Sequence, residues 1–192
     1  MNRRDALQPG QKPAPDDLAF VQAFVNTLDV ESGRDDFALP EGVSAWFGKF
    51  GSLPPGTVLA EDDRRRAVRF REALRALLRS NHGEAPDAQA LTAMAEVGAG
   101  APLRLAPGTD GQLRLEPTTT NLDANLAELL AIVHREMLTG RWQRLKVCAS
   151  DTCQWAFYDS SRNRSGSWCS MAVCGNREKV RGHRERALQE SQ

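Results

Sequence analysis

Four cysteines constrain this 192-residue chain more than any other feature: Cys148, Cys153, Cys169 and Cys174 fall in its last quarter as C-x4-C-x15-C-x4-C. Two close pairs joined by a loop are how a tetrahedral structural zinc site is built. Each pair wraps two thiolates around the ion, and the spacer lets the pairs meet. A segment of about 45 residues buries too little surface to fold alone and needs a staple. Structural zinc supplies on the order of 10–16 kcal/mol of binding free energy. Two disulfides would also serve, and redox-active thiols are a third alternative, but nothing in the chain points to an oxidising compartment. With four thiolates as ligands no position remains for a catalytic water, so the expected ion is one structural Zn2+.

Around the cysteines, Gln154 to Tyr158 carries β-type residues and predicts a short strand after the first knuckle. Trp155, Phe157 and Trp168 are expected to cover the metal as an apolar lid, packing rather than stacking on bases. Asp159-Ser160-Ser161 predicts a turn, and Arg162 to Ser167 an exposed basic loop. From about Cys174 the chain predicts a helix. At about 100° per residue, Arg177, Arg181 and Arg184 share one ridge. Val180 and Ala187 sit beside that ridge to face the zinc core, and Glu178 and Glu185 flank it. Gly175 reads as the residue that lets backbone N–H groups approach the thiolates, and Asn176 as a helix cap or knuckle brace.

The zero net charge of the whole chain hides an asymmetry. Residues 141–188 hold ten Lys/Arg against four Asp/Glu, a balance of +6 that leaves −5 on residues 1–140. A basic end on a mildly acidic body points to a local anionic partner. The candidate nucleic-acid contacts are Arg162, Arg164, Arg177, Lys179, Arg181 and Arg184, which can track phosphates or enter a groove.

Upstream, helical rhythm predicts a helix after Asp16-Asp17, a short one over Val43 to Gly51, a strong one from Asp62 to about Asn81, and an alanine-rich one over Asp87 to Val97. In the strong helix Ala67, Phe70, Leu74, Leu77 and Leu78 form the apolar stripe. Its seven arginines, Arg71 and Arg75 among them, read as a solvated face rather than a nucleic-acid surface. Leu103, Leu105, Leu113 and Leu115 alternate around Gly108-Thr109-Asp110-Gly111, a β-hairpin signal. Asn121 is placed to cap a helix to Leu138 with the stripe Leu122, Leu126, Leu129, Leu130, Val133 and Met137. The expected fold is α+β: a flexible tail over 1–16, a mostly helical body with a small β-hairpin over 17–140, and a small four-cysteine zinc finger over 141–188 made of a knuckle, short strands and a C-terminal helix.

No stretch approaches the ~18 apolar residues that cross a bilayer. The start of the chain does not read as a secretory signal, so a cytoplasmic protein is expected. P-loop, H-E-x-x-H and G-x-S-x-G motifs are absent, and His82, His134 and His183 are scattered, so the chain does not read as an enzyme.

At Cys148 to Arg184 the pattern becomes specific. Cys148, Cys153, Trp155, Phe157, Asp159, Ser161-Arg162-Asn163, Trp168-Cys169-Ser170-Met171 and Cys174-Gly175-Asn176-Arg177 together resemble the CGNR zinc finger, a family named for that last tetrapeptide. In such proteins the finger follows an N-terminal domain called ABATE, whose opening motif is similar to Phe24-Val25-Asn26-Thr27-Leu28. The resemblance implies a stress-induced transcription regulator of bacteria, with the four cysteines as zinc ligands and DNA binding as the role of the finger. Family members often carry arginines just before the Trp-Cys pair, where this chain has Gly166 and Ser167, which removes positive charge from that loop. Asn26 and Thr27 read as helix-end caps, with the lining of a small-molecule pocket as the other reading.

The expected function is therefore a regulator that binds double-stranded DNA through the finger and its basic helix. The body would serve homodimerisation or the sensing of a small-molecule effector, and no membrane partner is expected. RNA binding is one alternative; a zinc-stapled protein-interaction adaptor is another.

Overall fold

In chain order the computed structural model contains α1 (Leu18–Val25), β1 (Leu28–Asp29), β2 (Arg34–Asp35), α2 (Pro40–Phe50), α3 (Glu61–Ser80), α4 (Ala88–Gly100), β3 (Leu103–Pro107), β4 (Leu113–Pro117), α5 (Leu122–Leu138), β5 (Leu145–Val147), β6 (Ala156–Tyr158) and α6 (Asn176–Gln189). It describes residues 12–100 and 102–189, with side chains in α6 as far as Arg184. The expectations placed on residues 1–11 and on the side chains of Glu185 and Ala187 lie outside these. The strands form three separate antiparallel pairs, β1–β2, β3–β4 and β5–β6, so the fold is α+β with helices dominant.

α1 is the axis of the body. Its sequence LAFVQAFV is apolar except for Gln22, and all of it is buried, as a helix without a polar face must be, with the Gln22 amide taken up by hydrogen bonds. Phe24 at its end meets Phe37, Trp46, Phe47 and Phe70 with ring centroids 5.6 to 5.8 Å apart. α3 starts with Glu61, Asp62 and Asp63 at the positive end of the helix dipole, and Asp63 accepts a hydrogen bond from Ala60 N at 3.0 Å. α5 starts as its sequence demands: Asn121 Oδ1 accepts from Ala124 N at 3.1 Å. The β3–β4 hairpin pairs Leu105 with Leu115 across a turn containing Gly108 and Gly111, and packs along α5.

Two readings of these helices need correction. Arg71 and Arg75 are not solvated; they are 1% and 3% exposed. Arg71 forks onto the Asp35 carboxylate at 2.6 and 3.0 Å, and Arg75 donates to Val25 O at 2.7 Å. On α5, Met137 of the expected stripe is exposed, whereas Glu136 is buried. Arg141, just past the turn at Gly140, folds back on Glu136 at 2.6 and 3.0 Å and makes that burial tolerable.

The inner part of the finger belongs to the body's core. Leu145, Val147 and Ala156 lie in one buried cluster with Leu18, Phe20, Leu74 and Leu78. Strand alternation turns these residues inward and Lys146 and Phe157 to the other face, where Lys146 lies beneath the following loop. Of the segment 1–16, Lys12 to Ala14 run along this junction: Ala14 is buried, and its N–H donates to Gln22 Oε1 at 2.7 Å.

Candidate metal centre

The two halves of the site are built by different local devices. In the first, Cys148 N donates to Trp155 O at 2.8 Å, closing the end of the β5–β6 hairpin, while Cys153 N and Gln154 N both donate to Ser150 O, at 2.9 and 3.0 Å. Gln154 takes a left-handed φ of 48°, which turns the chain back into β6. In the second, residues Met171–Gly175 form a turn wider than an α-helix, with Gly175 N donating to Ser170 O at 3.1 Å. Ser170 Oγ caps this turn by accepting from Val173 N, and Asn176 Nδ2 braces it by donating to Ala172 O at 3.2 Å. Ala149 N to Ser167 O, at 2.9 Å, ties the halves together.

These devices bring the four Sγ atoms within 4.8 Å of one another. Cys153 and Cys169 are 3.6 Å apart, and Cys169 and Cys174 are 3.7 Å apart. Four sulfurs about 2.3 Å from one tetrahedral ion would be about 3.8 Å from each other, whereas a disulfide needs about 2.05 Å. The spacing is that of zinc ligands, and all four cysteines are free of disulfides.

Electrostatics agree. Hydrogen bonds from Cys153 and Cys169 pull the Cys148 thiol down, and donating those bonds holds the Cys153 and Cys169 thiols up; burial raises Cys174. Four thiolates this close cannot all ionise unless a cation sits among them. Backbone hydrogen bonds from Cys169 and Ser150 to the Cys148 sulfur, and from Trp155 to that of Cys153, would stabilise the metal-bound thiolates. The donor set therefore fits one structural Zn2+, held by Cys148, Cys153, Cys169 and Cys174.

Trp155 and Trp168 pack on the cysteines as the expected lid, but Phe157 does not. Its ring is buried on the outer face of β6, with the Lys12 ammonium 5.7 Å from its centroid. Beside it the buried Lys146 bonds Asp159 at 3.0 Å and the carbonyls of Arg164 and Gly166, pinning the loop between the two cysteine pairs. Burial alone would raise Asp159, but hydrogen bonds from Ser161, Lys146 and Gly166 outweigh it and hold its carboxyl far below the usual range. Gly166 has a local reason: a Cβ there would lie 2.8 Å from the Asp159 carboxylate. At Gly175 a Cβ would meet Met171 Sδ at 2.8 Å, so this glycine makes room for packing.

What periodicity could not reveal is the lock between body and finger. Asn26 imitates a strand: its Oδ1 accepts from Ala156 N at 2.8 Å and its Nδ2 donates to Ala156 O at 2.9 Å. Gln22 donates to the same carbonyl at 3.1 Å. Arg75 reaches Gln154 O at 2.8 Å, Arg79 reaches Gln154 Oε1 at 2.6 Å, and Asn81 donates to the carbonyls of Trp142 and Leu145. Thr27 Oγ1 donates to Phe24 O at 2.8 Å and accepts from Arg71 Nη1 at 3.3 Å, so it ties α1 to α3 and not to the finger. Asn26 thus reaches beyond the helix end to hold the root of the first knuckle.

Arg162, Arg164, Arg177, Lys179, Arg181 and Arg184 are all exposed. Arg177 pairs with Glu31 in the β1–β2 turn at 2.8 Å, and Arg181 with Glu178 at 2.6 Å. Arg162, Arg164, Lys179 and Arg184 show no ion pair among the described residues. Val180, expected against the zinc core, is 50% exposed, since the described part of α6 packs chiefly on the knuckle it grows from.

Two family profiles match the chain. The CGNR zinc finger covers residues 144–187, and ABATE, described as "Putative stress-induced transcription regulator", covers residues 18–141. No curated protein matches it.

Proposed function

The chain belongs to the ABATE family and ends in a CGNR zinc finger, and on that premise we propose that it is a bacterial transcription regulator that binds duplex DNA through α6 and the Arg162–Arg164 loop. The observation that carries this reading is α6 itself. From Asn176 to Arg184 no side chain is buried, and the zinc knuckle holds the helix by its first turn. A helical stretch with no fully buried side chain is not there to build a core; a basic one offers its surface to an anion.

The body's part is dimerisation or sensing. A cavity of about 520 Å³ between the β3–β4 hairpin and α5, walled by Leu105, Leu113, Leu115 and Ile132, is the place for an effector. Exposed Met171 and Val173 beside the zinc favour a second reading, a docking knob for a protein partner. Among the described residues no helix is long and apolar enough to cross a membrane.

Fluorescence anisotropy of the zinc-loaded protein with duplex DNA at several salt concentrations tests the reading. With four or five side chains on phosphates, log K should fall against log salt with a slope of roughly −4. Replacing Arg181 and Arg184 by Glu should abolish the binding. No binding up to high micromolar DNA, or binding indifferent to salt, would contradict it.

A further inference from the structure

One of the candidate phosphate contacts, Arg177, is held by the body. Its Nη2 donates to Glu31 Oε1 at 2.8 Å, across 146 residues of sequence. Glu31 is presented by a built turn. Asp29 Oδ1 accepts from Glu31 N and Ser32 N, its Oδ2 accepts from Ser32 Oγ, and Gly33 closes the turn at a φ of +73°. β2 behind the turn is clamped where buried Arg71 grips Asp35. Arg177 lies three residues past the ligand Cys174, so this ion pair joins the first turn of α6 to the body.

We infer that Glu31 is an affinity-setting residue that occupies Arg177 in the free protein and competes with a nucleic-acid phosphate for it. This rests on the nucleic-acid reading given above. Both partners are close to half exposed, 42% and 48% for the side chains. A pair of that kind is worth a factor of about five or less in an equilibrium, so a phosphate can displace it. Among the described residues Lys179 on the same helix has no such partner. The body therefore sets how readily α6 offers Arg177, and any rearrangement of the β1–β2 turn that releases Glu31 removes that cost.

The test is the salt dependence of duplex DNA binding by the zinc-loaded full chain, comparing wild type, Glu31→Gln, Arg177→Gln and the double variant. Glu31→Gln should bind up to about fivefold tighter near 0.1 M salt. Its slope should stay that of the wild type, because Arg177 meets a phosphate in both complexes and only the cost of displacing Glu31 is removed. The gain in affinity should vanish in Glu31→Gln/Arg177→Gln. A Glu31→Gln affinity equal to that of the wild type, or a gain that persists without Arg177, would overturn the inference while leaving the DNA reading intact. No binding by the wild-type chain would overturn both.

Discussion

Replacing Asn26 by Ala probes the lock between body and finger with the fewest side effects. Ala156 is fully buried, and both of its backbone groups are paired with the Asn26 amide. The variant leaves Ala156 N–H without that partner inside the core, while Ala156 O keeps the bond from Gln22. A buried, unsatisfied backbone donor costs about 1–3 kcal/mol, and the space left by the lost amide adds about 1 kcal/mol. Urea unfolding in excess zinc should therefore show a loss of about 2–4 kcal/mol, at an unchanged dependence on urea. That is a large part of the ~5–15 kcal/mol a domain has. Asn176→Ala, which removes one exposed hydrogen bond, should cost less than about 1 kcal/mol. If Asn26→Ala lay within about 0.5 kcal/mol of wild type, the claim that the finger is anchored through Ala156 would fail.

Gly166→Ala should weaken zinc retention against a competing chelator more than Gly175→Ala. Its Cβ strikes the Asp159 carboxylate, which Lys146 and backbone N–H groups lock, whereas at Gly175 the two nearest atoms are the end of an exposed Met171 that can swing aside, with Trp168 Cδ1 farther off at 3.3 Å. Asp159→Asn should lower stability at pH 7. The Asp159 carboxyl is depressed in the folded chain, so its contribution is complete above its unfolded value of about 3.9 and is lost as pH falls below that. The gap between the variants should thus be constant from about pH 7 to 5 and narrow below about pH 4; a gap that changed near pH 6 would contradict the assignment. Chelating the zinc should strip amide protection from Met171 to Arg184 in hydrogen exchange while β5 and β6 stay protected, since those strands rest in the body's core.

What the sequence made legible was local chemistry. The four cysteines declare their site because thiols are rare donors and each pair closes over four residues. Asn121 declares its cap for the same reason, its partner being three residues away. The buried polar groups were hidden because their partners lie far along the chain: Asn26 bonds Ala156 across 130 residues, and Arg75 bonds Gln154 across 79. Hydrophobic periodicity assigns every arginine of α3 to the surface, so Arg71 and Arg75 could be placed only once Asp35 and the first knuckle were seen beside them. Val180 failed in the opposite sense. Its phase along α6 was legible, but phase predicts burial only where another element is present to cover the face.

The finger keeps its shape only if the four sulfurs grip one ion. Elemental analysis of the purified, reduced protein, combined with stepwise titration of its thiols by a mercurial reagent, tests this directly. One zinc per chain, fully released once four thiols have reacted, is the predicted result. Protein without bound zinc, or with these cysteines joined to each other as disulfides, would contradict it.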